Sequence, residues 1–145
     1  MGRIRISFPD RAWFTYELPL RISDINYGNH LGHDALVSIL HEVRMRFLRS
    51  LGMSETDVGG VGMILGELAV TYRNQAFYGD VLRVEVAVGG TGSRGCDLLY
   101  RVTDLESGNV VALARTGLIF FDYEGNKVAP MPEVFRKLLR ERGTI

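Results

Sequence analysis

The chain has one cysteine, four prolines and no excess of charge of either sign among its 145 residues. A lone thiol, Cys96, excludes an intramolecular disulfide and fits a reducing compartment. Seventeen basic residues against seventeen acidic ones leave no net field that would draw the protein to nucleic acid or to an anionic membrane. No stretch approaches the ~18 apolar residues of a membrane span. The opening run Met1-Gly2-Arg3-Ile4-Arg5-Ile6-Ser7 lacks the apolar segment of a signal peptide. A soluble, cytoplasmic protein without nucleic-acid or membrane partners is expected. Internal repeats, low-complexity tracts and linkers are missing too, so residues 1–145 are expected to form a single domain.

Several catalytic signatures are absent. There is no G-x-S-x-G elbow and no P-loop. The run Gly90-Thr91-Gly92-Ser93-Arg94-Gly95 matches G-x-G-x-x-G, but the following Cys96 to Thr103 reads as a strand where a dinucleotide site needs a helix. A hairpin connection accounts for it better. Cys96, at the start of that strand, reads as a packing residue and not a nucleophile. His30 and His33 stand three residues apart with Asp24 and Asp34 near in sequence, yet no third clear ligand accompanies them, so no metal is expected.

What is present is pattern. Leu18, Leu20 and Ile22 alternate with Glu17, Pro19 and Arg21, which predicts a strand over Trp13 to Ile22; Pro19 lacks an N–H and places it at an edge or beside an unpaired stretch. Asp24 to Asp34 is dense in Gly, Asn and Asp, hence a loop. From Ala35 the period changes: Leu36, Ile39, Leu40, Val43 and Phe47 line one face of a helix that Gly52 stops. Asp34 suits an N-cap or a first-turn acid, and Glu42 and Arg46 form a favourable i,i+4 pair. Gly59 to Gly62 is a connection. Strands are predicted at Met63 to Arg73, Val81 to Val88, Cys96 to Thr103 and Val110 to Phe121, the last two joined by a turn at Asp104 to Asn109. Tyr123 to Lys127 is another turn, and Glu133 to Arg142 a short final helix. One long helix with a run of antiparallel strands is an α+β arrangement. The economical solution curls the sheet around the Leu36 to Phe47 stripe, because a sheet must have one face covered.

The loop before the long helix carries Asp24, Asn26, Asn29, His30, His33 and Asp34. The first N–H groups of a helix are free and can hold an anion, or the oxyanion that forms when an acyl carbonyl is attacked. A carboxylate or imidazole alongside can activate water. The same residues also serve as turn formers, caps and solvated polar groups.

At these residues the sequence resembles the hot-dog-fold acyl-CoA thioesterases, in the branch of the 4-hydroxybenzoyl-CoA thioesterases and their YbgC-like relatives. That branch reads close to S-D-x-D-x-x-G-H-x-N-N-x-x-Y-L-x-x-x-E-x-A-R. Ser23, Asp24, His30 and Arg44 match without gaps, and Glu42 falls one residue past the pattern's Glu, where His41 stands. Leu68 to Tyr72, Tyr78 to Leu82, Phe120 to Asp122 and Pro130 to Pro132 extend the similarity over most of the chain. The resemblance implies a hot-dog fold: an antiparallel sheet of about five strands around one long central helix, with a short C-terminal helix. It also implies hydrolysis of an acyl-CoA or acyl-carrier-protein thioester, with CoA entering as part of the substrate and no cofactor. Pairing into a homodimer or homotetramer, with sites at the subunit interface, is implied as well.

The chain departs from the pattern at two places. The second acid of D-x-D, which usually carries catalysis, is Asn26, and the paired Asn residues are Gly32 and His33. A neutral amide cannot take up a proton as a carboxylate does, although it can orient a carbonyl or a water. Three substitutes remain open: Asp24, otherwise a turn acid; His30 or His33 oriented by Asp34, otherwise solvated; and Glu42, otherwise an ion pair with Arg46. Glu67 is a weaker candidate from a partner subunit. For the CoA phosphates the candidates are Arg94 with Ser93, then Arg73, with Arg83 and Arg115 also available. Two other readings stand beside hydrolysis. A hot-dog hydratase or dehydratase carries Asp and His about five apart in a D-x-N-P-x-H context, whereas Asp24 and His30 are six apart with no Pro between them. A non-catalytic acyl-CoA binder would explain Asn26.

Overall fold

Helical and strand periodicities turn into elements close to where the sequence places them. In a computed structural model, which describes residues 2–145, the chain forms β1 (Phe14–Pro19), a 3-10 turn (Ile22–Asp24), α1 (His33–Ser50), β2 (Gly62–Tyr72), β3 (Val81–Gly92), β4 (Gly95–Asp104), β5 (Val110–Asp122), a two-residue β6 (Lys127–Val128) and α2 (Glu133–Glu141). Every strand pair is antiparallel, in the order β1-β3-β4-β5-β2, with β6 beside β5. A sheet with one long helix against it and a short terminal helix is the expected hot-dog arrangement.

The boundaries differ from expectation for local reasons. β1 ends at Pro19 and not at Ile22. Leu20 donates its N–H to Asp80, and the chain then turns through Ile22–Asp24, where the Asp24 carboxylate accepts the Arg21 N–H at 2.8 Å. α1 begins two residues before Ala35, because Gly32 adopts the extended conformation of an N-cap and its carbonyl accepts the Leu36 N–H. At the other end Gly52, at φ +74°, stops the helix as expected. β3 runs on through the glycines to Gly92 and turns into β4, so the G-x-G-x-x-G run is a hairpin.

The core lies between α1 and the sheet face that meets it. Leu36, Ile39, Leu40, Val43, Phe47 and Leu48 are buried against a layer that includes Leu82, Val84 and Val86 of β3, Leu98 and Val102 of β4, and Ala112, Ala114 and Leu118 of β5. Burying each large side chain is worth roughly 2 kcal/mol. Phe47 closes one end of this layer, edge-on to Trp13 and tilted against Phe14. α2 buries Phe135 and Leu139, with Phe135 edge-on to Phe120.

β2 is the last strand of the sheet, and a bulge at Gly66 shifts its register between Leu65 and Glu67. Its helix-side residues beyond that point are Leu68, Val70 and Tyr72, paired with Thr116, Ala114 and Ala112. Leu68 is 40% and Tyr72 52% exposed, so the apolar side of this edge strand extends past the cover that α1 supplies.

One polar group crosses the core. Arg44, buried on α1, donates to Glu55 at 2.7 Å and to the Tyr100 hydroxyl at 3.4 Å, and that hydroxyl lies 2.7 Å from the buried Thr116 hydroxyl. His41 reaches the other Glu55 oxygen. Among the described residues no buried side-chain nitrogen or oxygen lacks a partner, so this network is satisfied. Opening it leaves polar groups dry and unpaired, which costs about 1–3 kcal/mol per group. Tyr100→Phe should therefore lower stability by about 1–3 kcal/mol with an unchanged m-value in urea unfolding.

Candidate active site

The loop Ile25 to Leu31 is a small closed structure. A bridge pairs Ile25 with Leu31, Asn26 donates its N–H to His30, and Asn29 donates to Asn26 with its own φ at +68°. Asn tolerates that left-handed conformation better than most residues. Leu31 then donates to Ala76, 2.7 Å away, and Gly32 donates to Asp24. The first of these bonds pulls the chain that follows β2 onto the loop that precedes α1.

A cavity of about 330 Å³ forms where the two segments meet. The loop contributes Asn26, His30, Leu31 and His33, and the other wall is Tyr72, Arg73, Asn74, Gln75 and Ala76, with Val111 beneath. Asn74 is fixed by a 2.7 Å bond from its amide to the Val110 carbonyl. The helix start opens here. The first backbone bond within α1 is Leu36 to Gly32, and no side chain caps the N-terminus, so the N–H groups of His33, Asp34 and Ala35 have no acceptor among the described residues.

Within the cavity the polar groups are ordered relative to one another. The His30 ring nitrogen Nδ1 lies 3.2 Å from the Leu31 carbonyl. A carbonyl only accepts, so Nδ1 carries the hydrogen and Nε2 of the neutral ring keeps its lone pair. That Nε2 lies 3.2 Å from the point where a Cβ on Gly28 would stand, and the Asn26 side-chain oxygen lies 3.4 Å from the same point. On the far side of Asn26, the point where a Cβ on Gly32 would stand is 3.3 Å from Asn26 Cβ and 2.7 Å from an Asp34 carboxylate oxygen. Asn26 thus lies between His30 and Asp34. Asp34 also acts on Tyr72: burial first, and the Asp34 charge second, raise the phenol above its ordinary value. Tyr72 therefore remains a protonated donor at neutral pH.

The structure separates the other residues singled out in the sequence. Asp24 is buried, and its carboxylate is engaged by the Arg21 N–H and side chain; it does not line the cavity. Glu42 sits on the exposed side of α1, paired with Arg46 at 2.9 Å. Arg73 lines the cavity, whereas Ser93 and Arg94 sit at the β3–β4 hairpin. That hairpin is at the opposite end of the sheet: Gly95 pairs with Ile119 and Tyr72 with Ala112, a separation of roughly 23 Å along β5. Glu67 lies on the outer face of β2, 3.9 Å from Arg115. Among the described residues no group of three His, Cys, Asp or Glu side chains is placed to hold a metal, and no helix is long and apolar enough to cross a membrane.

Sequence reasoning missed Tyr72, Asn74 and Gln75 as cavity residues. The available signal was the abrupt change after Val70, where an apolar strand runs into Tyr72-Arg73-Asn74-Gln75 before the turn at Tyr78-Gly79-Asp80.

A model of the thioesterase-like superfamily matches residues 20–139. The chain belongs to that superfamily. No curated protein sequence matches it. Among solved structures it is similar to Slr0204, a 1,4-dihydroxy-2-naphthoyl-CoA thioesterase from Synechocystis, at 22% identity and a TM-score of 0.76, covering 85% of this chain and 92% of that one. It is also similar to PA2801 of Pseudomonas aeruginosa, at 20% identity and a TM-score of 0.80 over 89% of this chain and 99% of that one. SAV2348 of Staphylococcus aureus, solved in complex with CoA, aligns at 19% identity and a TM-score of 0.80 over 94% of this chain and 87% of its own. At these identities the likeness is one of fold.

Cys96 lies in the core on β4 and outside this cavity. Burial, with a smaller contribution from the Asp97 charge, pushes its thiol up to about 12. The reactive thiolate is thus nearly absent at neutral to mildly alkaline pH. N-ethylmaleimide at pH 8 should leave the folded protein unlabelled by mass spectrometry and modify one site once urea is added. Rapid labelling of the folded protein would contradict this placement.

Proposed function

We propose that the protein hydrolyses an acyl-CoA thioester, with His30 as general base. The observation that carries the assignment is the His30 Nδ1 to Leu31 contact, which leaves Nε2 without a hydrogen-bond partner among the described residues, on a side chain that lines the same cavity as His33 at the start of α1. Membership of the thioesterase-like superfamily supports the reaction class. A CoA complex of one structural neighbour, and the aryl-CoA thioesterase named for another, support the substrate class.

In the proposed reaction, Nε2 takes a proton from a water as its oxygen attacks the thioester carbonyl. The carbonyl oxygen becomes negative and is held by the N–H groups at the start of α1, where the helix dipole favours negative charge. The Asn26 oxygen lies 3.4 Å from the His30 N–H, so its amide hydrogens remain available to orient the water or the carbonyl. The tetrahedral centre then collapses, the C–S bond breaks, and the thiolate takes up the proton as the acid leaves. His30 is preferred to Asp24, whose carboxylate is engaged by Arg21, and to Glu42, which pairs with Arg46 on the exposed side of α1.

Measuring thiol release from a panel of acyl-CoAs tests the reading. A general base contributes about 10²–10⁴-fold. His30→Ala should therefore lower kcat at least ~100-fold with KM little changed, while Glu42→Gln retains the rate. Full activity in His30→Ala together with its loss in Asp34→Asn would transfer the base to Asp34. Absence of thiol release across the panel would reject hydrolysis altogether.

A second copy is part of the same proposal. The free edge of β2 has exposed Leu65, Leu68 and Tyr72 along it, and an unpaired apolar edge invites strand pairing. Antiparallel pairing of two β2 strands would set the hairpin end of one sheet, with Ser93 and Arg94, toward the cavity end of the other. That reading explains how Arg94 could serve a site 23 Å or so away along its own sheet. Sedimentation should give a dimer or a larger even assembly, and Leu68→Asp should shift it toward monomer with loss of turnover. A monomeric, fully active wild type would exclude this.

A further inference from the structure

The N-terminal segment crosses the face of the sheet that α1 leaves open. At one end Phe8 lies under the guanidinium of Arg101, 4.7 Å from its ring centre, and Arg101 is held by Glu85 on the outward side of β3 and β4. At the other end residues 2–6 share a groove of about 790 Å³ with Val70 to Arg73 of β2 and its extension. Between these points Ile6 is buried, although it is not part of the core around α1. The segment is therefore a strap that passes from β4 over to the edge strand. It precedes the part of the chain that the family model matches, which begins at residue 20.

The charge in that groove is one-sided. Arg3, Arg5 and Arg73 line it and no carboxylate does. None of the three makes a salt bridge among the described residues, although the chain forms such pairs elsewhere on its surface. Guanidinium groups left without carboxylates and gathered in one groove suit phosphate, which accepts their forked donors. The position adds a second argument. Tyr72 and Arg73 line both this groove and the catalytic cavity, so a molecule with an acyl thioester at one end and phosphates at the other can occupy both.

We propose that the strap arginines Arg3 and Arg5, with Arg73, bind the phosphate groups at the nucleotide end of the CoA thioester. This rests on the acyl-CoA reading of the neighbouring cavity and assigns its recognition of the nucleotide to a segment outside the family match. The strap then distinguishes substrates that carry the nucleotide from thioesters that lack it. The exposed positions of Arg3 and Arg5 make them replaceable without disturbing the core.

The experiment pairs a binding measurement with a kinetic one. Adenosine 3′,5′-bisphosphate is titrated calorimetrically into the full-length wild type and the Arg3→Ala/Arg5→Ala double variant, with inorganic phosphate at the same concentrations as the comparison. Wild type should bind the bisphosphate and bind inorganic phosphate more weakly, and the double variant should lose about five- to tenfold in bisphosphate affinity, as expected for two exposed charge contacts. For turnover, the KM for an acyl-CoA should rise by the same factor with kcat unchanged. The KM for the matching N-acetylcysteamine thioester, which has no nucleotide, should not move. Arg3→Glu/Arg5→Glu should exaggerate the split, and added salt should narrow it. Unchanged bisphosphate affinity in both variants would overturn the proposal. So would an equal loss on both thioesters, which would place the arginines in the fold or in the chemistry, and so would an equal affinity for inorganic phosphate. If wild type turned over neither thioester, the hydrolase reading would fail while the titration still decided the groove.

Discussion

The hydrogen bond from Leu31 to Ala76 joins two segments that lie far apart in sequence and creates the site. Each segment is otherwise a local matter. The loop before α1 closes on itself through Asn26 and His30, and the chain after β2 is held against β5 by Arg73 and Asn74, whose N–H groups both reach Val111. Only when Leu31 docks on Ala76 do His30 and Tyr72 face one cavity. The bond is possible because β2 and β5 are in a register that ends at Tyr72 opposite Ala112, and because α1 is pressed against the same sheet. The site thus depends on the core being packed, not on the loop's own conformation.

Arg44 shows how the long helix is kept in place without an entirely apolar inner side. A guanidinium in the interior costs several kcal/mol unless its donors are met, and here they are met by Glu55 on the loop leading to β2 and by Tyr100 on β4. Desolvation by burial works against the charged form, but contacts with Tyr100 and Glu55 outweigh it and hold Arg44 above its ordinary value. Burial of Tyr100 in turn raises its phenol. Apolar packing alone would let a helix slide by a turn over a smooth sheet. A buried charge with two fixed partners admits one position, and that position sets where His33 and Asp34 begin the helix.

Much of the fold was legible in the sequence because it is written in short periods. The three-and-four spacing from Leu36 to Phe47 gave the helix at nearly its true limits, and the alternation of Leu82, Val84, Val86 and Val88 gave the start of β3 at Val81, although β3 runs on to Gly92. The end of β1 was less legible, because Asp24 binding back to Arg21 makes a turn that no periodicity announces. The candidate site was readable on one side only. Asn26, His30, His33 and Asp34 stand together in the sequence and meet at the helix start, whereas Tyr72 and Gln75 join them only through strand register. Side-chain direction was legible only as an alternative, with Asp24 a turn acid and Glu42 an ion pair with Arg46. Asp24 and Glu42 are near the site in sequence, and one is turned inward to its own backbone while the other pairs with Arg46 in solvent.

The exchange of the family's acid for Asn26 makes sense beside Asp34. An Asp34 carboxylate oxygen lies 2.7 Å, and Asn26 Cβ 3.3 Å, from the same point above Gly32. An acid at position 26 would add a second negative charge to that neighbourhood, and like charges disfavour each other. An amide at position 26 removes the conflict and keeps the donor that can orient a carbonyl. The negative charge stands instead at position 34, in the first turn of α1, where the dipole of the helix favours it. A carboxylate also raises the phenol of Tyr72, so that the opposite wall of the cavity offers a hydrogen and not a second anion. The polar side chains that line the cavity itself are then neutral amides, imidazoles and a phenol, together with the guanidinium of Arg73. That lining carries no negative charge of its own, so it suits the anionic product of thioester hydrolysis, which a carboxylate at position 26 would oppose.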